Sequence, residues 1–259
     1  MRIHFVSVLA PFAAVILPVL ALGQAPAPDA VKPPVPAPAA QPDASKTPKP
    51  AVPAESPKGG NPALPQRYQS LLVESMNLFH IRDYAGALKF VDRADEIMAP
   101  TTWSLNIRGA VAIEQRDFAK GQKYCADALK VDANFFPAKF NLCEIPFLQQ
   151  KYADARGLWM KLYGETKKED PTSELLVYRI FLTFLLEKDF DHAKDWLAKI
   201  PFPSQTPAYH YAHAAMERQL GNKEKWDEWL NSAVYIWPDS KRASFTDVLI
   251  QLGWMKREP

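Results

Sequence analysis

Cysteine, glycine and unbalanced charge are all scarce in this sequence. Two cysteines, Cys125 and Cys143, are too few to staple a small disulfide-built fold. The ten glycines form neither a phosphate-cradling loop nor a Gly-x-Ser-x-Gly nucleophile turn. Five histidines include no His-Glu-x-x-His pair, so no zinc-hydrolase signature is present, and no cofactor is implied. Charge is balanced as well. Setting aside Arg2, Lys32, Lys46, Lys49 and Lys58 among the 31 basic residues, and Asp29, Asp43 and Glu55 among the 29 acidic ones, leaves equal numbers from residue 66 onward. Without a basic stripe to meet a phosphate backbone, nucleic acid is not an expected partner.

Proline is the exception to this scarcity. Of 24 prolines, thirteen lie between Gln24 and Pro65, among Ala, Lys, Ser and Asp and with no aromatic residue. Such a stretch buries too little apolar surface to offset its ordering entropy, which predicts a disordered, partly polyproline II linker over residues 24–65. Ahead of it, Met1-Arg2-Ile3-His4 is a short positive segment and Phe5 to Leu22 an apolar run broken by Pro11 and Pro18. The run closes on Ala21-Leu22-Gly23, a small-x-small step suited to signal-peptide cleavage. The reading is a signal peptide over residues 1–23. A retained membrane anchor is the alternative, disfavoured by the short run, the two prolines and the lack of a basic flank. Export implies an oxidising compartment, in which Cys125 and Cys143 either form a disulfide or stay as buried free thiols.

Beyond Pro65 the pattern changes to apolar residues at helical spacing, and it repeats. Asp83-Tyr84-Ala85 returns as Asp117-Phe118-Ala119 after 34 residues and as Lys151-Tyr152-Ala153 after 34 more. Asp189-Phe190 follows 38 residues later, and Asn222 stands in the same frame 33 beyond. Each recurrence sits between two amphipathic segments, so it predicts a turn inside an antiparallel helix pair. Five pairs and a last helix at about Lys241 to Trp254 account for the rest of the chain. Pro100, Pro201 and Pro238 separate pairs, Pro137 suits a helix start, and Pro146 falls within a helix, at the cost of one backbone hydrogen bond.

A period near 34 with this turn resembles the tetratricopeptide repeat, over roughly Tyr68 to Trp254, in an exported bacterial setting. The family pattern asks for small residues at three helix contacts. Ser75, Ala87 and Ala94 supply them in the first repeat, and Gly109, Gly121 and Ala128 in the second. Later copies diverge, with Cys143, Ala155 and Leu162, then Phe181, Ala193 and Ile200, then Ala214, Trp226 and Ala233. Phe181 and Trp226 are expected to wedge their pairs apart or to push the local register. The turn glycine that usually precedes the Asp is absent from the first four copies. The resemblance implies an all-α, right-handed solenoid of about five helix pairs plus a capping helix, filling residues 66–259 as one domain.

It also implies where a partner binds. The concave face of such a solenoid is built from first helices, and its frame positions here carry Phe140, Asn141, Glu144, Tyr178, Arg179, Tyr211 and Arg218. Phe140, Tyr178 and Tyr211 recur at one position in consecutive repeats, which is either an aromatic ladder that grips a peptide or packing between repeats. Leu72, Met76 and Asn106 occupy places where relatives clamp a C-terminal carboxylate, so that ligand class is not supported. The expected function is a non-enzymatic, protein-binding or peptide-binding scaffold of the bacterial envelope, periplasmic or secreted. The competing expectation is a small exported enzyme, or an accessory subunit of one, using His210, His213 and Glu217, which fall on one face of one helix.

Overall fold

The computed structural model describes residues 63–256; the expected signal peptide, residues 1–23, and nearly all of the proline-rich segment lie outside them. Eleven helices and no strand occur among the described residues. They form five antiparallel pairs: α1 (Ala63–His80) with α2 (Tyr84–Asp95), α3 (Thr102–Glu114) with α4 (Phe118–Val131), α5 (Phe136–Leu148) with α6 (Tyr152–Glu165), α7 (Pro171–Leu186) with α8 (Phe190–Leu197), and α9 (Ala208–Gln219) with α10 (Lys223–Ile236). A single helix, α11 (Asp239–Gln251), is the last among the described residues. Pro65 sits in the first turn of α1, where a missing N–H removes no helical bond. Pro146 lies in the last turn of α5, two residues before its end, and its carbonyl accepts from Lys151 N at 2.9 Å to close the turn.

The turn inside each pair has one geometry. The residue before the cap is left-handed in all five, with φ of 62° at Arg82, 64° at Arg116, 61° at Gln150, 61° at Lys188 and 79° at Gly221. A side-chain cap follows. Asp83 Oδ1 accepts from Gly86 N, Asp117 Oδ1 from Lys120 N, Asp189 Oδ1 from His192 N and Asn222 Oδ1 from Lys225 N. Only Lys151 lacks such a bond. Glycine, the residue that takes a left-handed backbone at no steric cost, is present at one copy of five, and each of the others carries about 1 kcal/mol of strain in its place.

Packing follows the small residues where they exist. Ala87, Val91 and Ala94 on α2 are wholly buried, and Ser75 on α1 donates to the Ala87 carbonyl at 2.8 Å. In the second pair a methyl group on Gly109 would lie 2.8 Å from Cys125 Sγ, and one on Gly121 2.6 Å from Ile113 Cγ1. The two cysteines are free and buried, Cys125 beneath Gly109 and Cys143 donating to the Lys139 carbonyl at 3.2 Å. Burial pushes both thiols up to about 12, so neither is a reactive thiolate. Phe181 and Trp226, the bulky residues at small sites, are accommodated inside the core that runs from α5 through α11. Trp226 meets Trp254 edge-on at 6.4 Å, tying the chain's last turn to α10.

Gly121→Ala is expected to lower stability by about 1–3 kcal/mol less the ~1 kcal/mol of helix propensity it gains, because the methyl overpacks Ile113. Gly157→Ala, on an exposed face with nothing near its added methyl, is expected to raise stability by up to about 1 kcal/mol. Urea melts of the two variants read out the opposite signs.

Candidate functional site

The first helices of the pairs share one face, and three adjoining hollows run along it. The outermost is almost wholly apolar, lined by Tyr68, Leu72, Val73, Met76, Met98 and Trp103 among others. Met76, Trp103 and Ile107 pass from it into a second hollow, which in turn shares Phe79 and Ala110 with a third. The result is one trough that runs from the first pair to the first helix of the fourth. Its floor is half-open: Val73 and Met98 are 39 % and 41 % exposed, large values for side chains of this kind. The third hollow, with a cavity volume of about 100 Å³, lies between α3, α5, α7 and α11, with Phe140, Asn141, Glu144 and Arg179 in its wall.

α11 closes the far end. It folds back over the first-helix face, burying Phe245, Val248 and Leu249. Tyr178 donates its hydroxyl to the Phe245 carbonyl at 3.4 Å, Arg179 donates to the Ser244 carbonyl at 3.4 Å, and Tyr211 shares a 2.7 Å hydrogen bond with Thr246. At its C-terminal end Gln251 Nε2 donates to Glu114 Oε1, 137 positions earlier, at 2.9 Å.

The seven residues expected on the concave face therefore divide. Phe140, Asn141, Glu144 and Arg179 line the trough together. Tyr178 and Tyr211 are wholly covered, their rings 5.4 and 6.0 Å from that of Phe245, so two of the three ladder aromatics pack within the protein. Arg218 is elsewhere, its guanidinium over the rings of Trp226 and Trp254 at 5.2 and 5.5 Å. Residues of the trough that the frame positions did not single out are Val73, Met98, Trp103 and, from α11, Asp247 and Gln251. Met98 lies in a connecting segment and α11 is a distant helix, so neither follows from the repeat.

The electrostatics of the inner hollow are uneven. Asn141 donates to Asn106 at 2.9 Å, a buried bond between two repeats. Glu144 and Arg179 approach to 3.4 Å, without hydrogen-bond geometry, and both side chains are more than nine-tenths buried. Burial holds the Glu144 carboxyl above its usual range; the charge of Arg179 opposes this, and those of Glu114 and Asp247 add to it.

His210 and His213 stand apart from the trough, in an aromatic cluster. His213 stacks on Trp229 at 4.7 Å and lies 4.4 Å from Tyr209, while His210 is 6.0 Å from the same Trp229. Burial lowers both imidazoles below the ordinary histidine value. No group of three or more His, Cys, Asp and Glu side chains converges among the described residues.

Comparison with known proteins bears on the fold. PilF of Pseudomonas aeruginosa superposes with a TM-score of 0.51 at 11 % identity, over 74 % of this chain and 88 % of that one. The chain is a tetratricopeptide-repeat-type solenoid. Two more solved structures resemble this solenoid more loosely. PilW, described as a widely conserved type IV pilus biogenesis factor, has a TM-score of 0.49 at 15 % identity, over 71 % of this chain and 84 % of PilW. A tetratricopeptide repeat protein from Parabacteroides merdae has 0.44 at 15 % identity, over 73 % and 75 %. No family model and no curated protein matches the sequence.

Two outcomes test this description of the solenoid. Tyr178→Ala leaves a cavity under α11 and is expected to cost about 3–5 kcal/mol, read as a lowered melting temperature. For the histidines, a folded pKa held below the unfolded value means that the unfolded chain binds protons first, so stability is lost as pH falls through about 6.5. His213→Phe is expected to shrink the loss of melting temperature between about pH 7.5 and about pH 5.5 relative to the parent protein.

Proposed function

We propose that this protein is a non-enzymatic scaffold of the bacterial envelope that holds a segment of a protein partner on its concave face. The observation that carries the reading is the trough: a continuous apolar surface with Met76, Met98 and Trp103 half-exposed, ending in a few buried polar groups. Flexible methionines and rigid aromatics together suit a helix or extended segment laid along a groove. Phe140, Asn141, Glu144 and Arg179 serve as the inner part of the binding surface. Tyr178 and Tyr211 support it from beneath by fixing α11.

The envelope location rests on the N-terminal sequence, and the proline-rich segment forms the N-terminal arm of the mature protein. No described helix is long and apolar enough to cross a membrane. With signal cleavage after Gly23, the mature protein carries no stable membrane span.

The test is capture from a bacterial envelope extract on the full chain, alongside Val73→Asp in the trough and Lys123→Glu on the outer face of α4. A partner lost with the first variant and kept with the second is expected, with both variants melting near the parent. Sequencing of the exported protein is expected to begin at Gln24. Capture unaffected by Val73→Asp would move the interface off the concave face, and an uncleaved, cytoplasmic product would overturn the envelope assignment.

A further inference from the structure

A separate opening lies at the fifth pair, away from the trough. Its cavity volume of about 430 Å³ exceeds that of any of the trough's three hollows, and it shares no lining residue with them. The segment between α8 and α9 gives it Phe202, α9 gives Tyr209 and His210, and α10 with its C-terminal cap gives Trp229, Ile236 and Trp237. No residue of the lining is Asp, Glu, Lys or Arg. Ring follows ring across it: Phe202 to Tyr209 at 4.9 Å, Tyr209 to Trp229 at 5.8 Å and Trp229 to His210 at 6.0 Å. Phe202 is 74 % exposed and Ile236 53 %, so the groove keeps large apolar side chains in water.

Two buried polar atoms of this lining, Trp237 Nε1 and His210 Nδ1, lack a hydrogen-bond partner among the described residues. His210 is itself more than nine-tenths buried. An indole Nε1 can only donate, and burial favours the neutral form of His210, which keeps one ring N–H. Arg242 Nε donates to the Trp237 carbonyl at 3.0 Å and fixes that residue's backbone beside the groove. Such a lining suits an uncharged ligand with apolar rings for the aromatic faces and bare carbonyls for the donors. A polyproline II segment has both. It makes no internal hydrogen bonds, so its carbonyls are free, and its preformed backbone loses little entropy on docking against aromatic rings.

This chain carries such a segment. Pro33-Pro34-Val35-Pro36-Ala37-Pro38 is its densest run of prolines and has no charged side chain. The run lies outside the described residues and is joined to α1 by the 24 residues 39–62. Extended as polyproline II, a joining stretch of that length reaches about 75 Å, against about 40 Å from the first pair to the fifth at the usual spacing of packed helices.

We propose that the aromatic groove of the fifth pair holds the proline-rich arm of the same chain, with Pro33–Pro38 against Phe202, Tyr209 and Trp229 and one of its carbonyls accepting from Trp237 Nε1. The arm is thereby drawn along the solenoid, and the N-terminus of the mature protein is brought to the fifth pair. The groove is separate from the trough, so the proposal does not rest on the concave-face reading.

The test is site-specific photocrosslinking in the full chain, with p-benzoylphenylalanine in place of Val35 and the products mapped by mass spectrometry. Crosslinks within one chain to the peptides that carry Phe202, Tyr209 or Trp229 are expected, at a yield that does not change on dilution. The yield is expected to fall by about half or more in Phe202→Ala, and likewise in Trp237→Phe, which keeps an apolar ring and loses the N–H. Both variants are checked for their melting temperatures. Pro33→Ala combined with Pro36→Ala is expected to lower the yield as well, and it leaves the helical domain unaltered. Crosslinks that fall on the trough or scatter over the surface would overturn the proposal, as would a yield indifferent to Phe202→Ala and to the paired proline substitutions. Crosslinks formed only between two chains would overturn it too, by giving the groove to the arm of a second copy.

Discussion

The fold depends on one recurring backbone event: a left-handed residue followed, in four of the five pairs, by an Asp or Asn whose side chain caps the next helix. The left-handed step reverses the chain within three residues, and the cap satisfies an N–H that the new helix cannot pair internally. Four times out of five the left-handed residue is Arg, Gln or Lys, so the turn holds against its own local preference. What holds it is the packing on either side, where Ser75 donates to the Ala87 carbonyl and where a methyl group added to Gly109 or Gly121 would run into Cys125 or Ile113. Helix entry, close approach and strained turn support one another, and repetition carries that set of constraints along the chain.

α11 departs from the repetition. A helix stacked as a simple next repeat would touch its neighbours alone, whereas α11 reaches Tyr178 and Arg179 on α7 as well as Tyr211 on α9, and at its tip Glu114 on α3. It thereby converts part of a concave face into core. The aromatic positions in the fourth and fifth pairs are spent on holding it, and the surface left open lies over the first three pairs, where methionine, tryptophan and valine are half-exposed.

Much of the fold was legible because its signals are local. The Asp-aromatic pairs at residues 83, 117 and 189 mark turns, and the helix ends fall within a few residues of those expected from prolines and apolar spacing. Phe181 and Trp226, bulky at small-residue positions, are enclosed in the core by residues of other elements, which a single frame position cannot show. The candidate site was legible by half. Frame position placed Phe140, Asn141, Glu144 and Arg179 on the shared face. It could not distinguish Phe140, which lines a hollow, from Tyr178 and Tyr211, which are roofed by Phe245, because the roof comes from residues more than thirty positions away. The bond between Gln251 and Glu114 has no local trace in the sequence at all.

A linear array of repeats behaves as a chain of springs, each coupled to the next, so that it can fray from either end and its stiffness falls as it lengthens. The bonds from α11 to three separate pairs change that mechanical character. They act as a chord drawn across an arc: bending the arc open stretches the chord, and fraying the last pair removes contacts from the second and fourth. The curvature of the trough is therefore set by the side chains of α11, and a segment seated against that helix would feel every change in how tightly the arc is drawn.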